Sequence, residues 1–190
     1  FRSSYSIQKF WQFYLKEDYG VFVYYLSRNA YGPKIKVIRI KDDNSLEEKF
    51  DILINFTEYR FNTEPILSDL TKINNTRFSY VATSYNKTEI FVLLFDFYNG
   101  YNNIKMRMYR IYFYDLYNIK VNGVPFTIIG DKYFIGFSHD SGKATFIATI
   151  EYYSDNGYID KVGEHLGNVP LPSYEIKEVE TDVNEYTEKR

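Results

Sequence analysis

Lys34–Ile40 reads Lys-Ile-Lys-Val-Ile-Arg-Ile, and Lys105–Ile111 reads Lys-Met-Arg-Met-Tyr-Arg-Ile. Both run basic, apolar, basic, apolar, apolar, basic, apolar. Strict alternation places the apolar side chains of a strand on one face. A one-residue slip in that rhythm calls for a bulge or a strong local twist. Sharing the slip at the same point marks an internal repeat, and a repeat constrains the fold more than any single segment.

The segments upstream repeat in step. Val21–Leu26 matches Ile90–Phe95, and Thr145–Ile150 is a third copy. Each follows another aromatic-rich run, starting at Phe10, Phe78 and Phe134. The polar stretches between them, Lys16–Gly20, Ser84–Glu89 and His139–Lys143, suit tight reversals. A fourth strand is predicted at Lys49–Phe56 in the first unit and at Gly123–Ile129 in the second. In the latter, Pro125 lacks an N–H donor and marks an edge.

Four short antiparallel strands, apolar throughout at the start and polar at the end, describe a propeller blade. Inner strands of a blade are covered by neighbours on both faces; outer ones meet water. The expected fold is therefore all-β, an antiparallel meander of blade-like four-stranded repeats forming a partial β-propeller. The units fall at about 7–56, 77–129 and 132–165 of one domain, 1–169. Three blades do not close a ring, which takes roughly four to eight, so this fold calls for completion by another chain or an oligomeric copy. The alternative needing no partner is a single up-and-down β-barrel. Thr57–Thr76 is predicted as an inserted loop or one helical turn around Ile66–Leu70. Residues 170–190, with Pro170 and Pro172 and then many Glu and Asp, are predicted as an acidic tail, extended or disordered unless it docks as a strand.

Composition narrows the function. Aromatic residues make up 20% of the chain against two Met, which favours sheet over helix. A formal net charge of −2 gives no field toward nucleic acid or membrane, and Ile90–Phe95 is too short to span a bilayer; neither partner is expected. The absence of cysteine removes disulfides, thiolate chemistry and cysteine-based metal sites. Phe1 at the start and Lys189–Arg190 at the end fit a processed or excised piece of a longer polypeptide. Sequons at Asn55, Asn74 and Asn86 are glycosylation candidates and point to a secreted or extracellular glycoprotein.

Several residues carry candidate chemistry. Ser138-His-Asp140-Ser-Gly142-Lys-Ala-Thr145-Phe146 resembles the Asp-box hairpin of sialidase-type blades. It has one more residue between Gly142 and Thr145, and Phe146 where that motif carries Trp. Asp, Ser and Gly are default turn residues, so the stretch reads as a plain hairpin, and the motif itself would report fold and not catalysis. His139 and His165 are the only imidazoles; with Asp140 or Glu164 they fit no metal-ligand spacing, and they read as surface residues. Asp96 interrupts the most apolar strand, and Glu151 holds the matching place in the third unit. Both are candidates to line a channel or ligand site, with a place facing the channel or an ion pair to an arginine of the third strand as the plainer reading of Asp96. Lys34, Lys36, Arg39, Lys105, Arg107 and Arg110, interleaved with Tyr109 and Tyr112, form basic stripes able to hold an anionic ligand. Their plainer reading is a set of solvated edges that resist strand-to-strand aggregation, with the acidic tail able to fold back on them.

No nucleophile motif or phosphate loop is present; no catalytic residue, metal or cofactor is assigned. The expected function is a non-enzymatic secreted binding or assembly module, a rigid β scaffold recognising protein or glycan and completed by a partner chain. The alternatives are a glycan-active hydrolase fragment and a barrel holding an apolar ligand.

Overall fold

Residues 7–26, 32–56, 58–62, 67–114, 119–120, 127–129, 132–139, 145–153, 158–167, 173–180 and 185–188 are described by a computed structural model, with side chains at 15–25, 32–56, 58–62, 67–112, 114, 173–180 and 185–188. Antiparallel strands make up the fold. The first sheet runs in chain order, β1 (Ile7–Lys16), β2 (Tyr19–Leu26), β3 (Lys34–Ile40) and β4 (Leu46–Leu53). The second begins with β5 (Ser68–Asn74), β6 (Arg77–Thr83), β7 (Glu89–Tyr98) and β8 (Asn103–Phe113). The third holds β10 (Thr127–Ile129), β11 (Lys132–His139), β12 (Thr145–Tyr153) and β13 (Tyr158–Gly167), with the short β9 (Ile119–Lys120) also on β11. The chain then returns to the second sheet, where β14 (Tyr174–Val179) and β15 (Glu185–Thr187) line the outer edge of β8.

Among the described residues none of the three sheets closes: β4 does not continue the ladder into β5, whose partner is β6. Two expectations are corrected. Thr127–Ile129 pairs with β11 at the edge of the third sheet and is not the fourth strand beside β8; Pro125 lies outside the described residues. The stretch expected to be an inserted loop contains β5, an edge strand whose residues after Ser68 are half-buried or exposed. An edge strand needs little apolar content, so its sequence signal is faint. The acidic tail supplies β14 and β15.

The first and second sheets pack face to face. Val21, Val23, Tyr25, Ile35, Val37, Phe50 and Ile52 meet Phe78, Tyr80, Phe91, Leu93, Phe95, Met106 and Met108 in one buried cluster. Phe78 and Phe95 stack at 4.6 Å, and Phe50 meets Phe97 edge-on across the two sheets at 5.9 Å. The Tyr25 and Tyr80 hydroxyls join the sheets through a buried hydrogen bond of 2.9 Å. Each large apolar side chain taken from water in this way contributes about 1.5–3 kcal/mol. β7 explains its own sequence: Phe91, Leu93 and Phe95 face the first sheet, while Ile90, Val92 and Leu94 on the other face are equally buried. A strand covered on both sides has no reason to alternate.

The shared rhythm corresponds to shared surroundings. Ile35 and Val37 in β3, like Met106 and Met108 in β8, enter the common core. Val37 pairs with Val21 and Met108 with Leu93, so the ladder equivalent of Val21 is Leu93, not Ile90 as alignment of the apolar runs suggests. The β3–β4 ladder shifts register between Val37 and Ile38, where the slip occurs. The β7–β8 ladder runs through the same point unbroken. There Arg110 lies on the core face, in step with Met106 and Met108, and Tyr109 and Ile111 are buried on the opposite one. In β3 the equivalent Arg39 pairs opposite Tyr19, a core residue. The slip is thus a change in what covers each face: the core face turns polar at its end.

Candidate ligand-binding cleft

Where the core face of the second sheet turns polar, the surface opens into a cleft of about 470 Å³ lined by Glu58, Tyr59, Arg60, Ser84, Tyr85, Asn86, Thr88, Glu89, Phe91, Arg110 and Tyr112. Three local structures build it. The first is the β6–β7 turn. The Ser84 hydroxyl accepts hydrogen bonds from the N–H groups of Thr88 and Glu89 at 3.1 and 3.0 Å and donates to Asn86 Oδ1 at 2.7 Å. The Thr88 hydroxyl donates to the same oxygen at 2.7 Å. Side chains that satisfy the turn backbone in this way fix it.

The second is the segment 58–62, held on that turn like a short extra strand. Phe61 bridges Ser84, the Asn62 N–H donates to the Thr83 carbonyl at 2.9 Å, and the Tyr85 N–H donates to that of Arg60 at 2.7 Å. Phe61 is fully buried and packs on Phe91 at 4.9 Å, and Tyr59 meets Phe91 edge-on at 5.8 Å. Buried Phe61 anchors the segment, so Tyr59 and Arg60 are presented on a stiff support.

The third is β8 with its partner strand. Phe91 pairs with Arg110 and Glu89 with Tyr112, so all four side chains share one face. Both Arg110 Nε, at 2.9 Å, and Nη2 contact Oε1 of Glu89. The hydrogen bond to Glu89 holds the Arg110 guanidinium charged, above its ordinary pKa. Its flat face lies 5.5 Å from the Tyr59 ring and 5.0 Å from the Tyr112 ring, within cation–π range. Arg60 covers Tyr85 at 4.1 Å. The cleft therefore offers aromatic rings, a fixed ion pair and the polar edge of a turn, all on strands or strand-like backbone.

Of the residues singled out from sequence whose side chains are described, the structure brings Arg110, Tyr112 and Asn86 to this cleft and leaves the others elsewhere. Lys34 pairs with Asp51 at 3.6 Å, Lys36 with Glu48 at 2.7 Å, Arg39 with Asp18 at 3.0 Å, and Arg107 with Glu178 at 3.0 Å. Lys105 is exposed and lies opposite Glu185. The basic stripes are thus matched by carboxylates of adjoining strands, those of the tail included. Asn55, Asn74 and Asn86 are exposed. Asn74 Oδ1 accepts from the Thr76 N–H and hydroxyl at 2.9 and 3.0 Å. Glu151 lies in β12 opposite Lys132, and His139 and His165 lie in β11 and β13; their side chains, and Asp140 and Gly142 of the hairpin, lie outside the described residues. Tyr59, Arg60, Tyr85 and Glu89 were not picked out. They come from two separated segments that meet only in the fold.

Asp96 is in an ion pair with Arg77 on β6, the strand before it, and not with an arginine of the third, basic strand as expected. Burial raises its pKa above the ordinary carboxylate value, against the opposing pull of Arg77, Arg107 and Lys105. The charged form is therefore the one that folding disfavours: the native state holds its proton longer than the unfolded state, and stability falls as pH rises through the carboxylate range. Asp96→Asn is accordingly expected to raise the urea midpoint at pH 7. The gain should vanish below pH 3.8, the unfolded-state value, where both states of the parent are protonated; equal midpoints at pH 7 would contradict it.

No family model, curated protein or solved structure matches the chain.

Proposed function

We propose that the chain is a non-enzymatic binding module whose cleft recognises a saccharide. The carrying observation is the grouping of Tyr59, Tyr85 and Tyr112 around the Arg110–Glu89 pair in one open cleft. A sugar ring has apolar C–H faces and a rim of hydroxyls. Rigid aromatic rings suit the faces, because their large contact area orders few torsions on binding. Fixed charged donors and acceptors suit the rim. The volume lies within the range of small-molecule sites, about 300–1,000 Å³. Glu89 is clamped by Arg110, which suits accepting from hydroxyls better than delivering a proton, and this favours binding over hydrolysis.

The scaffold belongs to the same proposal. Sheets built mainly of strands in chain order, the first two packed face to face, with a strand buried on both sides, are what consecutive propeller blades present. Three such blades leave a ring to be completed by a partner chain. Exposed Asn55, Asn74 and Asn86 in sequons support a secreted glycoprotein.

Titration of the chain with neutral oligosaccharides tests the reading. Tyr85 is 57% exposed, so Tyr85→Ala removes a ring without opening the core and should weaken binding about tenfold, the equivalent of roughly 1.4 kcal/mol. A saccharide panel without a ligand, or one bound equally well by Tyr85→Ala and Tyr112→Ala, would overturn the assignment.

A further inference from the structure

The outer edge of β8 is filled from a distance. β13 ends at Gly167 in the third sheet, and the next strand joins the second, pairing from Tyr174↔Phe113 to Val179↔Met108. β15 continues along the same edge, from Glu185↔Lys105 to Thr187↔Asn103. In the first sheet the corresponding edge of β3 is filled by β4, the strand next in sequence. The chemistry of the two edges is the same, a basic strand receiving an acidic one. Lys36 meets Glu48 at 2.7 Å and Lys34 meets Asp51 at 3.6 Å in the first sheet. In the second, Arg107 makes a two-pronged contact with Glu178, at 3.0 and 3.2 Å. Beyond β15, Glu188 pairs with Lys49 of β4.

Anchorage separates the two cases. β4 sends Phe50 and Ile52 into the core with 1% and 2% exposure. β14 buries none of its residues: Tyr174, Glu175, Ile176 and Val179 are half-buried, and Lys177 and Glu178 are exposed. A backbone ladder, matched charges and the partial packing of Val179 and Tyr186 on the core therefore hold the segment, and an identical segment from another molecule satisfies all three equally well. Edge strands are templates for such addition, and exchange of an identical element is a low-cost route to a dimer.

We propose that the outer edge of β8 is a strand-acceptor site that takes residues 173–188 of a second copy of this chain, each copy lending its segment to the other. Two full-length variants test it, Glu178→Arg and Arg107→Glu. In either alone, like charges oppose each other both within a chain and between identical chains. Mixed, each segment finds its complement only on the other molecule. The mixture should form a species of twice the 22.7 kDa chain mass, with a dissociation constant at least about tenfold below that of either variant alone. The double variant, with both changes in one chain, should behave as the parent. A mixture that stays monomeric while both variants keep the parent's circular dichroism overturns the proposal. Should a variant fail to fold, the parent chain is titrated with a fluorescent peptide of residues 173–188. A rise in anisotropy that is lost in the Glu178→Arg peptide supports the acceptor site; no rise up to millimolar peptide overturns it.

Discussion

Phe95→Ala is expected to cost about 3–5 kcal/mol of folding stability. Phe95 is 1% exposed, stacks on Phe78 at 4.6 Å with the rings 9° apart, and lies opposite Met106 in the ladder. Its removal opens a cavity in the layer where the first and second sheets meet, and neighbouring backbones tied into ladders can collapse only partly into it. Total stability of a domain is typically about 5–15 kcal/mol, so the variant should sit close to its unfolding midpoint at physiological temperature. Urea titration checks this through a lower midpoint at unchanged slope. Tyr98→Ala, on the same strand but 41% exposed, is the control and should change stability by less than about 1 kcal/mol. A loss below about 1 kcal/mol for Phe95→Ala would mean that the two sheets do not share the core described.

What was legible in the sequence follows from which residues had only one physical use. The run Ile90–Phe95 has no polar alternative and could only be a strand covered on both faces. Lys34–Ile40 and Lys105–Ile111 could be matched because their side chains meet the same core, Ile35 and Val37 in one and Met106 and Met108 in the other. Their common slip was visible, but its cause was not. A register shift accompanies it in β3 and none does in β8, since Arg110 is accommodated by the cleft. β5 was missed because an edge strand such as Ser68–Asn74 needs few apolar residues to hold its place. β14 was foreseen only as an alternative, a docked strand in place of an extended or disordered tail: an excess of Glu beside Lys and Arg says that the two meet, whereas register depends on backbone pairing that no side chain announces. The cleft was least legible of all. Tyr59, Tyr85 and Tyr112 are three among 21 tyrosines, and only the pairing of Phe61 with Ser84 brings the first two together.

Tyrosine burial leads to the second large effect, a steep loss of stability in alkali. Tyr25 and Tyr80 are fully buried between the two sheets and bonded to each other. Burial pushes the Tyr25 hydroxyl well above its ordinary value of 10.0, and the neighbouring Tyr80 adds to it. Burial likewise raises Tyr80, against the opposing effect of its hydrogen bonds from Tyr25 and Ser68. Tyr24, 3% exposed, is pushed up to about 12 by burial and by Asp51 and Glu48. Each of these groups keeps its proton in the folded state at a pH where the unfolded chain has released it. Above pH 10.0 the unfolded state therefore binds fewer protons, and stability falls with pH; below it the contribution is intact. Each such group costs up to about 1.4 kcal/mol per pH unit once the unfolded side chain is fully ionised; between pH 10 and pH 11, where that ionisation is still completing, the loss is about 1 kcal/mol each and about 3 kcal/mol for the three. Urea midpoints should be flat from pH 8 to 9 and collapse over the next two units. In Tyr25→Phe/Tyr80→Phe the slope above pH 10 should become shallower, the remainder coming from Tyr24 and the other tyrosines held above their ordinary value, Tyr19 and Tyr186 among them. That double variant loses both hydroxyls from one hydrogen bond and should be more stable at pH 7 than Tyr80→Phe alone, in which a buried Tyr25 hydroxyl has lost its bonded neighbour at a cost of about 1–3 kcal/mol. An alkaline slope unchanged by the double substitution would place the titrating groups elsewhere and separate the buried tyrosine pair from the stability of the sheet interface.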